Sequence, residues 1–372
     1  MTGVQDAWRL WLALKMVRGV GPVIYQGLLR AFGNPAAVFA ASVHQLECAG
    51  VRRELAHAIR AFADWAAVDS QLERLARCGG SLITWNDAAY PANLRQIHDP
   101  PPCLFVQGEM QVRDRLAVAV VGSRTVSAYG LRLTREIAAG LVRYGVTVVS
   151  GLARGTDAEA HWAALRAGGR TLAVLGSGVD VVYPSEHHAL FQAIQRQGAV
   201  MTELLMGTKP DPENFPNRNR IISGISLGTV VVEATQKSGS LITAALAAEQ
   251  GREVFAMPGA VGARTRGTHR LIRDGAKITE CAEDILEELA PQLLASTAVG
   301  RSIELAPAEA TLVECMHHET VHIDTIVARS GLRVPQVLQT LLALELRGVI
   351  QQLPGKHFVA TVVDVRRGPA EN

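Results

Sequence analysis

Three glycine-containing strings hold the residues best suited to chemistry. Gly122-Ser123-Arg124 follows the apolar run Ala117–Val121, and Ser150-Gly151-Leu152-Ala153-Arg154-Gly155-Thr156-Asp157 follows Val146–Val149. Gly176-Ser177-Gly178-Val179-Asp180 follows Thr171–Leu175. In open α/β sheets, ligands bind beyond the carboxyl ends of the strands. Glycine there lets a ligand approach the backbone, and the start of the next helix offers free N–H groups to a phosphate. Arg124 adds a planar, fork-shaped cation. One such turn alone would be an ordinary β–α connection; three along one edge predict a phosphate-binding rim.

Phe215-Pro216-Asn217-Arg218-Asn219-Arg220-Ile221-Ile222-Ser223 is the most unusual string. Pro216 or Asn217 would start a helix. At 100° per residue, Arg218 lines up with Ile221, Ile222 and Ile225 on the buried stripe, and Arg220 points roughly the opposite way. A buried arginine needs an anionic partner. For Arg218 that is Asp157, Glu233 or a bound phosphate; Arg220 is read as facing a ligand. Phe215, just before the helix, would stack on a base or cover the core. The chain has five lysines against 32 arginines, and Lys209 and Lys237 both fall inside motif-like strings. Lys237-Ser238-Gly239-Ser240 follows Val230–Glu233 and precedes a helix over Leu241–Gln250. That sets another small polar turn at a helix start beside a cation, with Ser240 as the expected N-cap.

Neither a GxGxxG fingerprint nor a GxxxxGK[ST] loop occurs, so a nicotinamide cofactor or NTP hydrolysis is not expected. Catalytic constellations are weak. His317, His318 and His322 cluster without an evident fourth metal ligand and read as surface histidines. Glu203 and Glu233 are the acid/base candidates, although strand-end carboxylates commonly tie down loops. The five cysteines, Cys48, Cys78, Cys103, Cys281 and Cys315, are scattered with no CxxC. That fits a reducing cytoplasm and provides neither a disulfide framework nor a zinc site. No cofactor is expected.

The elements that must position these residues fall into blocks. Residues 7–65 read as short helices, with Trp8, Trp11, Leu12 and Leu14 as an apolar stripe. Arg18-Gly19-Val20-Gly21-Pro22 has the pattern of a helix-hairpin-helix turn, and Cys48–Arg60 is a weaker second one. The turn serves either nonspecific DNA contact or only a small helical bundle. Residues 81–110 form a connector in which Tyr90-Pro91 and Asp99-Pro100-Pro101-Pro102 resist helix, with a short strand over Cys103–Val106. From 116 to 280 the runs named above, with Ala199–Thr202, Thr229–Val232 and Glu253–Ala256, alternate with amphipathic stretches such as Tyr129–Arg143 and Asp157–Ala167. Near-continuous β-branched runs imply strands covered on both faces, hence a parallel, doubly wound α/β sheet. Residues 291–304 read as a linker. In 305–372, helices over Glu309–Met316, Ile323–Arg329 and Pro335–Arg347 precede strands Val349–Leu353 and His357–Ala360 around Pro354-Gly355, the winged-helix pattern. The expected division is 1–80, 81–290 and 305–372.

The 372 residues include 48% hydrophobic ones and carry a formal net charge of +2, which excludes a disordered polyelectrolyte. No apolar run approaches the ~18–20 residues of a transmembrane helix, and the N-terminus has no signal-peptide layout. A chain without a membrane span, in the cytoplasm, is expected. Residues 111–280 hold 20 basic and 14 acidic residues, and 281–372 hold 7 and 12. A polyanion would therefore meet the middle of the chain.

Taken in order, these strings resemble the DNA-processing protein A family (DprA, also called Smf). The resemblance spans Leu82 to about Cys281 and, by domain order, nearly the whole chain. It rests on Gly122-Ser123-Arg124, Ser150–Asp157, Tyr183-Pro184, Phe215–Ser223 and Lys237-Ser238-Gly239-Ser240-Leu241-Ile242-Thr243. Phe255-Ala256-Met257-Pro258-Gly259 and Gly267-Thr268, with Leu271-Ile272 and Gly275-Ala276, complete it. His269 stands where the family usually has asparagine. The resemblance implies an extended Rossmann domain that binds single-stranded DNA, flanked by an N-terminal sterile-alpha-motif-like (SAM-like) domain and a C-terminal winged helix. It also implies a homodimer, not an enzyme, that protects incoming strands in natural transformation and helps load RecA onto them. Carried over, the site would comprise Gly122, Ser123, Arg124, Ser150, Gly151, Lys209, Phe215, Arg218, Asn219, Arg220, Lys237, Ser238, Gly239 and Ser240. The winged helix offers Arg333, Arg347 and Lys356 within an acidic segment, so protein contact is as expected there as DNA binding. The competing reading is a nucleotide phosphoribohydrolase of the same Rossmann type. Those enzymes use a PGGxGT…E string, and the stretch from Glu233-Ala234 to Ser238-Gly239-Ser240 lacks its double glycine.

Overall fold

The computed structural model describes residues 3–294, 303–316, 320–346, 349–353, 355–360 and 365–367. The chain divides into two compact units, Met1–Leu289 and Ala290–Asn372.

The first unit opens with helices α1 (Gly3–Met16), α2 (Pro22–Phe32), α3 (Pro35–Ala40), α4 (Val43–Cys48), α5 (Arg53–Arg60) and α6 (Trp65–Arg77). The turn between α1 and α2 has Gly19 at φ +97° and Pro22 in the first turn of α2, where the lost N–H has no helical partner to lose. Trp11, Leu14, Tyr25, Leu28, Leu46 and Ile59 form a helical core. Leu12 of α1 faces the other way and joins Val68 and Leu75 of α6 in a cluster with Leu82, Phe105 and Val200. The helices therefore dock on the sheet that follows.

That sheet contains β1 (Ser81–Thr84), β2 (Cys103–Gly108), β3 (Ala117–Val121), β4 (Thr147–Ser150), β5 (Thr171–Val174), β6 (Ala199–Thr202), β7 (Gly228–Val231), β8 (Glu253–Ala256) and β9 (Lys277–Ile278). Their order is β1-β2-β6-β5-β4-β3-β7-β8-β9. From β6 to β9 all pairings are parallel; β2 is antiparallel to both neighbours. The segment 81–110 is thus more than a connector, because its two ends add an antiparallel hairpin to the sheet edge.

The connecting helices are α7 (Ala128–Arg143), α8 (Thr156–Arg166), α9 (His188–Gln197), α10 (Asn214–Ile225), α11 (Gly239–Glu249), α12 (Arg266–Arg273) and α13 (Ala282–Leu289). Alternate strand residues serve opposite faces, as the pleat requires. Leu172 and Val174 pack with Ile221 and Ile222 of α10 and Ala244 of α11, whereas Ala173 packs with Leu165 of α8 and Leu190 of α9. Both faces are covered, as the unbroken apolar runs predict. After β3 the chain winds outward through β4, β5 and β6, then returns to lay β7 on the other side of β3. This reversal opens a crevice at the carboxyl ends of β3 and β7, where such sheets bind ligands.

Two boundaries differ from expectation. Helix α10 begins at Asn214, so Phe215 and Pro216 lie within its first turn. Ser238, not Ser240, caps α11, accepting the Ser240 N–H at 3.4 Å; the cap moves forward because the helix starts at Gly239.

In the second unit, α14 (Pro307–Glu314), α15 (Ile323–Ser330) and α16 (Val334–Leu346) accompany an antiparallel sheet of β11 (Val321–His322), β13 (His357–Ala360) and β12 (Ile350–Leu353). Strand β10 (Ile303–Leu305) pairs in parallel with β14 (Val365–Arg367). Leu312, Met316, Ile326, Leu341, Leu344 and Phe358 form its core, and the arrangement is a winged helix. His317, His318, Arg347, Pro354 and most of the expected linker lie outside the described residues. Among the described residues, no helix is long and apolar enough to cross a membrane.

Candidate nucleic-acid interface

A cleft of about 530 Å³ occupies the crevice beyond β3 and β7. Its walls are Gly122–Thr125 after β3, the first turns of α10, the start of α11, and Pro210 and Pro212 of the preceding loop.

The β3 loop is built by packing. A Cβ on Gly122 would lie 2.5 Å from Thr156 Oγ1, so glycine lets α8 start tightly against β3. Ser123 is nearly buried; its Oγ accepts the Thr125 N–H at 3.1 Å, and its carbonyl accepts the Thr156 N–H at 3.2 Å. That holds Arg124 outward, exposed, with its guanidinium 5.5 Å from the centre of the Phe215 ring. Arg218 lies 5.8 Å from the same ring, and the Tyr183 ring stands 5.8 Å away at 51°. Two cations and a second aromatic therefore gather around one half-buried phenyl ring.

Arg218 forms the cleft's floor and is only 5% exposed. Its Nη1 donates to the Val174 carbonyl at 2.9 Å. Gly151 makes the room, because a Cβ there would sit 1.6 Å from that nitrogen. Burial pulls the Arg218 guanidinium down to about 10, against the opposing Asp157 carboxylate and with help from Arg124. Burial pushes Asp157 up, opposed by Arg218 and by hydrogen bonds from the Ala153 and Gly151 amides. Of the partners open to Arg218, Asp157 acts on it through its charge alone, its Oδ2 being taken up by the Gly151 and Ala153 amides. Glu233 is occupied elsewhere, accepting the Ser127 N–H at 2.9 Å and the Ser127 hydroxyl.

Asn219, Ser238, Gly239 and Ser240 also line the cleft, the Ser238 and Ser240 hydroxyls lying 2.7 Å apart. Lys209 is exposed on the loop beside Pro210. Lys237 faces a different, larger groove of about 890 Å³ along α11 and α12.

Of the expected residues, Ser150, Gly151, Lys209, Arg220 and Lys237 do not line the cleft, and two of these are turned into the protein. Ser150 is fully buried, and its hydroxyl donates to the Val120 carbonyl at 2.7 Å, clamping β4 to β3. Arg220 does point away from Arg218, but into the protein. It is 2.7 Å from Glu203 and 3.0 Å from Asp99. Helix α10 packs on the sheet through Ile221 and Ile222, and Gly224 on its other side meets Leu94 and Ile97, so the face opposite Arg218 is covered too.

Two strings with enzyme-like spacing are explained by their surroundings. Gly224-Ile225-Ser226-Leu227-Gly228 has GxSxG spacing, but Ser226 is fully buried and donates to the Ile222 carbonyl at 2.9 Å. It leads from helix to strand, whereas a nucleophile elbow leads from strand to helix. His318-Glu319-Thr320-Val321-His322 has HExxH spacing and begins outside the described residues. His322 ends β11 and caps α15, whereas HExxH ligation needs both histidines on one helix face.

Residues 81–290 match the DNA recombination-mediator protein A family, and residues 296–356 match the DprA winged helix domain. The chain belongs to the DprA/Smf family. It is 41% identical to Protein Smf of Escherichia coli over 78% of this chain and 80% of that protein. It is 33% identical to Protein Smf of Synechocystis over 94% and 97%. Among solved structures, DNA processing protein A of Streptococcus pneumoniae superposes with a TM-score of 0.67 at 33% identity, over 75% of this chain and 98% of that one. A second, at TM-score 0.50 and 26% identity over 59% and 97%, is described for its single-stranded DNA binding mode in Helicobacter pylori DNA processing protein A.

In this member of the DprA/Smf family, His269 donates through Nε2 to the Gly259 carbonyl at 3.0 Å, anchoring the loop after β8. Arg264 of the same loop donates to the Thr125 carbonyl, tying it to the cleft. Sequence reasoning missed Tyr183 as a cleft residue. The signal was present in Tyr183-Pro184, an aromatic among the motif strings, but nothing local places it against Phe215.

Proposed function

We propose that the chain binds single-stranded DNA in this cleft, protects incoming strands in natural transformation and helps load RecA onto them, acting as a cytoplasmic homodimer and not as an enzyme. The carrying observation is the Phe215 ring, with Arg124, Arg218 and Tyr183 within 6 Å of it. A ring offers every base the same π face, and cations beside it meet the backbone without reading sequence. The glycine-lined β3 loop and the start of α11 add backbone donors. The Helicobacter pylori relative's single-stranded DNA binding mode supports carrying that ligand to this chain. Glu203 and Glu233, the acid/base candidates, are both held by structural partners, which weighs against a phosphoribohydrolase. The functional division follows 1–80, 81–290 and 305–372, with the middle segment carrying the DNA. In the winged helix, α16 presents exposed Val334, Leu338 and Leu342 at four-residue spacing, which favours protein contact there.

The test is a mobility shift with a short oligo-dT beside duplex of the same length, run with an AMP hydrolysis assay. Tighter binding of the single strand and no hydrolysis are expected. Equal or better duplex binding, or release of adenine, sinks the proposal.

A further inference from the structure

One wall of the cleft is braced from outside it. The wall is the loop 203–213, which carries Pro210 and Pro212 and leads into Phe215, together with the loop 176–184, which carries Tyr183. The loops meet where the Gly178 N–H donates to the Thr208 carbonyl at 2.9 Å. Asp180 then joins both to helix α6. Its Oδ1 accepts the Gly207 N–H at 2.7 Å, and its Oδ2 lies 2.7 Å from Arg74 Nη2. On α6, three residues before Arg74 and so on the same face, Gln71 Oε1 accepts the Met206 N–H at 2.7 Å. The helix is itself seated by Val68 and Leu75 in the core shared with Phe105 and Met206. Gly207 has φ +77°, and a Cβ there would lie 2.4 Å from Arg74 Nη2. A side chain at that position would unseat the guanidinium as well as strain the backbone.

We propose that Gln71 and Arg74 of α6, acting through Asp180 and the backbone of Met206 and Gly207, are positioning residues that hold the Phe215–Tyr183 wall for a stacked base. None of the three side chains lines the cleft. Ordering the wall in advance removes that entropic cost from binding. The base as ligand rests on the single-stranded DNA reading above; the brace itself does not.

The experiment uses the full chain with Arg74→Ala, Asp180→Ala and Arg74→Lys. Arg9→Ala serves as control, breaking the Arg9–Asp69 pair (2.6 Å) that joins α6 to α1 away from this wall. Three readouts are taken: oligo-dT affinity across salt, melting temperature, and amide hydrogen exchange. Arg74→Ala and Asp180→Ala should each weaken binding about three- to tenfold. Both should speed exchange in 204–213, and the salt slope should change by much less than the ~0.7 of one phosphate. Arg74→Lys should recover most of the affinity, and Arg9→Ala should change neither affinity nor exchange in that loop. Combined with Phe215→Ala, the Arg74→Ala effect should largely vanish, which a general loss of stability would not produce. If Arg74→Ala flattens the slope by ~0.7 while Asp180→Ala tightens binding, Arg74 is a phosphate contact and the proposal falls. Unchanged exchange in 204–213 overturns it as well. If the wild type binds no oligo-dT yet Arg74→Ala speeds exchange there, the DNA reading fails and the brace stands.

Discussion

Two recesses flank the turn Thr235–Ser238, and they differ in what they can hold. The groove along α11 and α12 is the larger, about 890 Å³ against about 530 Å³. Its lining includes Ala244, Ala245 and Ala248, and its charges are mixed, with Lys237, Arg252 and Arg270 beside Glu253 and Asp274. The cleft at the sheet's switch point is smaller but has a buried cation for a floor, an exposed cation at its mouth and an aromatic ring between them. Size follows from how helices splay. Binding chemistry follows from where a charge is held against its tendency to hydrate, and that occurs at Arg218.

The sharpest way to break this contrast is Arg218→Ala. It removes a buried guanidinium and its hydrogen bond to the Val174 carbonyl; hydrogen bonds to charged groups are worth about 1.5–3 kcal/mol, and truncating a buried arginine also loses packing. A large fall in melting temperature together with loss of oligo-dT binding is expected; a variant as stable as wild type would remove Arg218 as the cleft's floor. Arg220→Ala should come next in stability and differ in kind. Losing the paired cation of Glu203 and Asp99 should cost about 1.5–3 kcal/mol, seen in melting, with the salt dependence of binding unchanged. A flatter slope would return Arg220 to the DNA path.

Arg124→Ala should act on binding alone. Hydrogen bonds to charged groups are worth about 1.5–3 kcal/mol, so titration should show at least about a tenfold loss at constant melting temperature. A loss below about threefold would count against the contact. Lys237→Ala bears on the larger groove and should have the smallest effect. If the strand passes from the cleft over the Thr235–Ser238 turn, the salt slope flattens by up to ~0.7, equally for all sequences. A slope identical to wild type would confine the strand to the smaller cleft.

The fold was largely legible. Ala117–Val121 and Ala199–Thr202 are strands as the apolar runs indicate, because a strand covered on both faces is largely apolar; Glu253–Ala256 is a strand too, with its first residue exposed. Strands β1 and β9 were not read from the sequence; β1 enters the sheet only as the antiparallel partner of β2, and β9 has two residues paired with β8, so both depend on non-local pairing. In the site, the glycines were legible as a pattern but not in their purpose. Gly122 and Gly151 yield space to Thr156 and Arg218, neighbours far along the chain.

What the sequence by itself determined is the alternation of apolar runs and glycine turns, hence a doubly wound sheet and the strand ends at which ligands bind. It also determined that Arg218 and Arg220 lie on opposite sides of one helix, because 100° per residue is a local property. Which of those sides is solvent, ligand or protein was decided only in the tertiary structure. Helix α10 is enclosed by the sheet on one side and by Leu94 and Ile97 on the other. The arginine pointing away from the cleft therefore meets Glu203 and Asp99, while the one on the apolar stripe reaches the cleft. Periodicity sets directions relative to the helix axis; only long-range packing sets what lies in each direction.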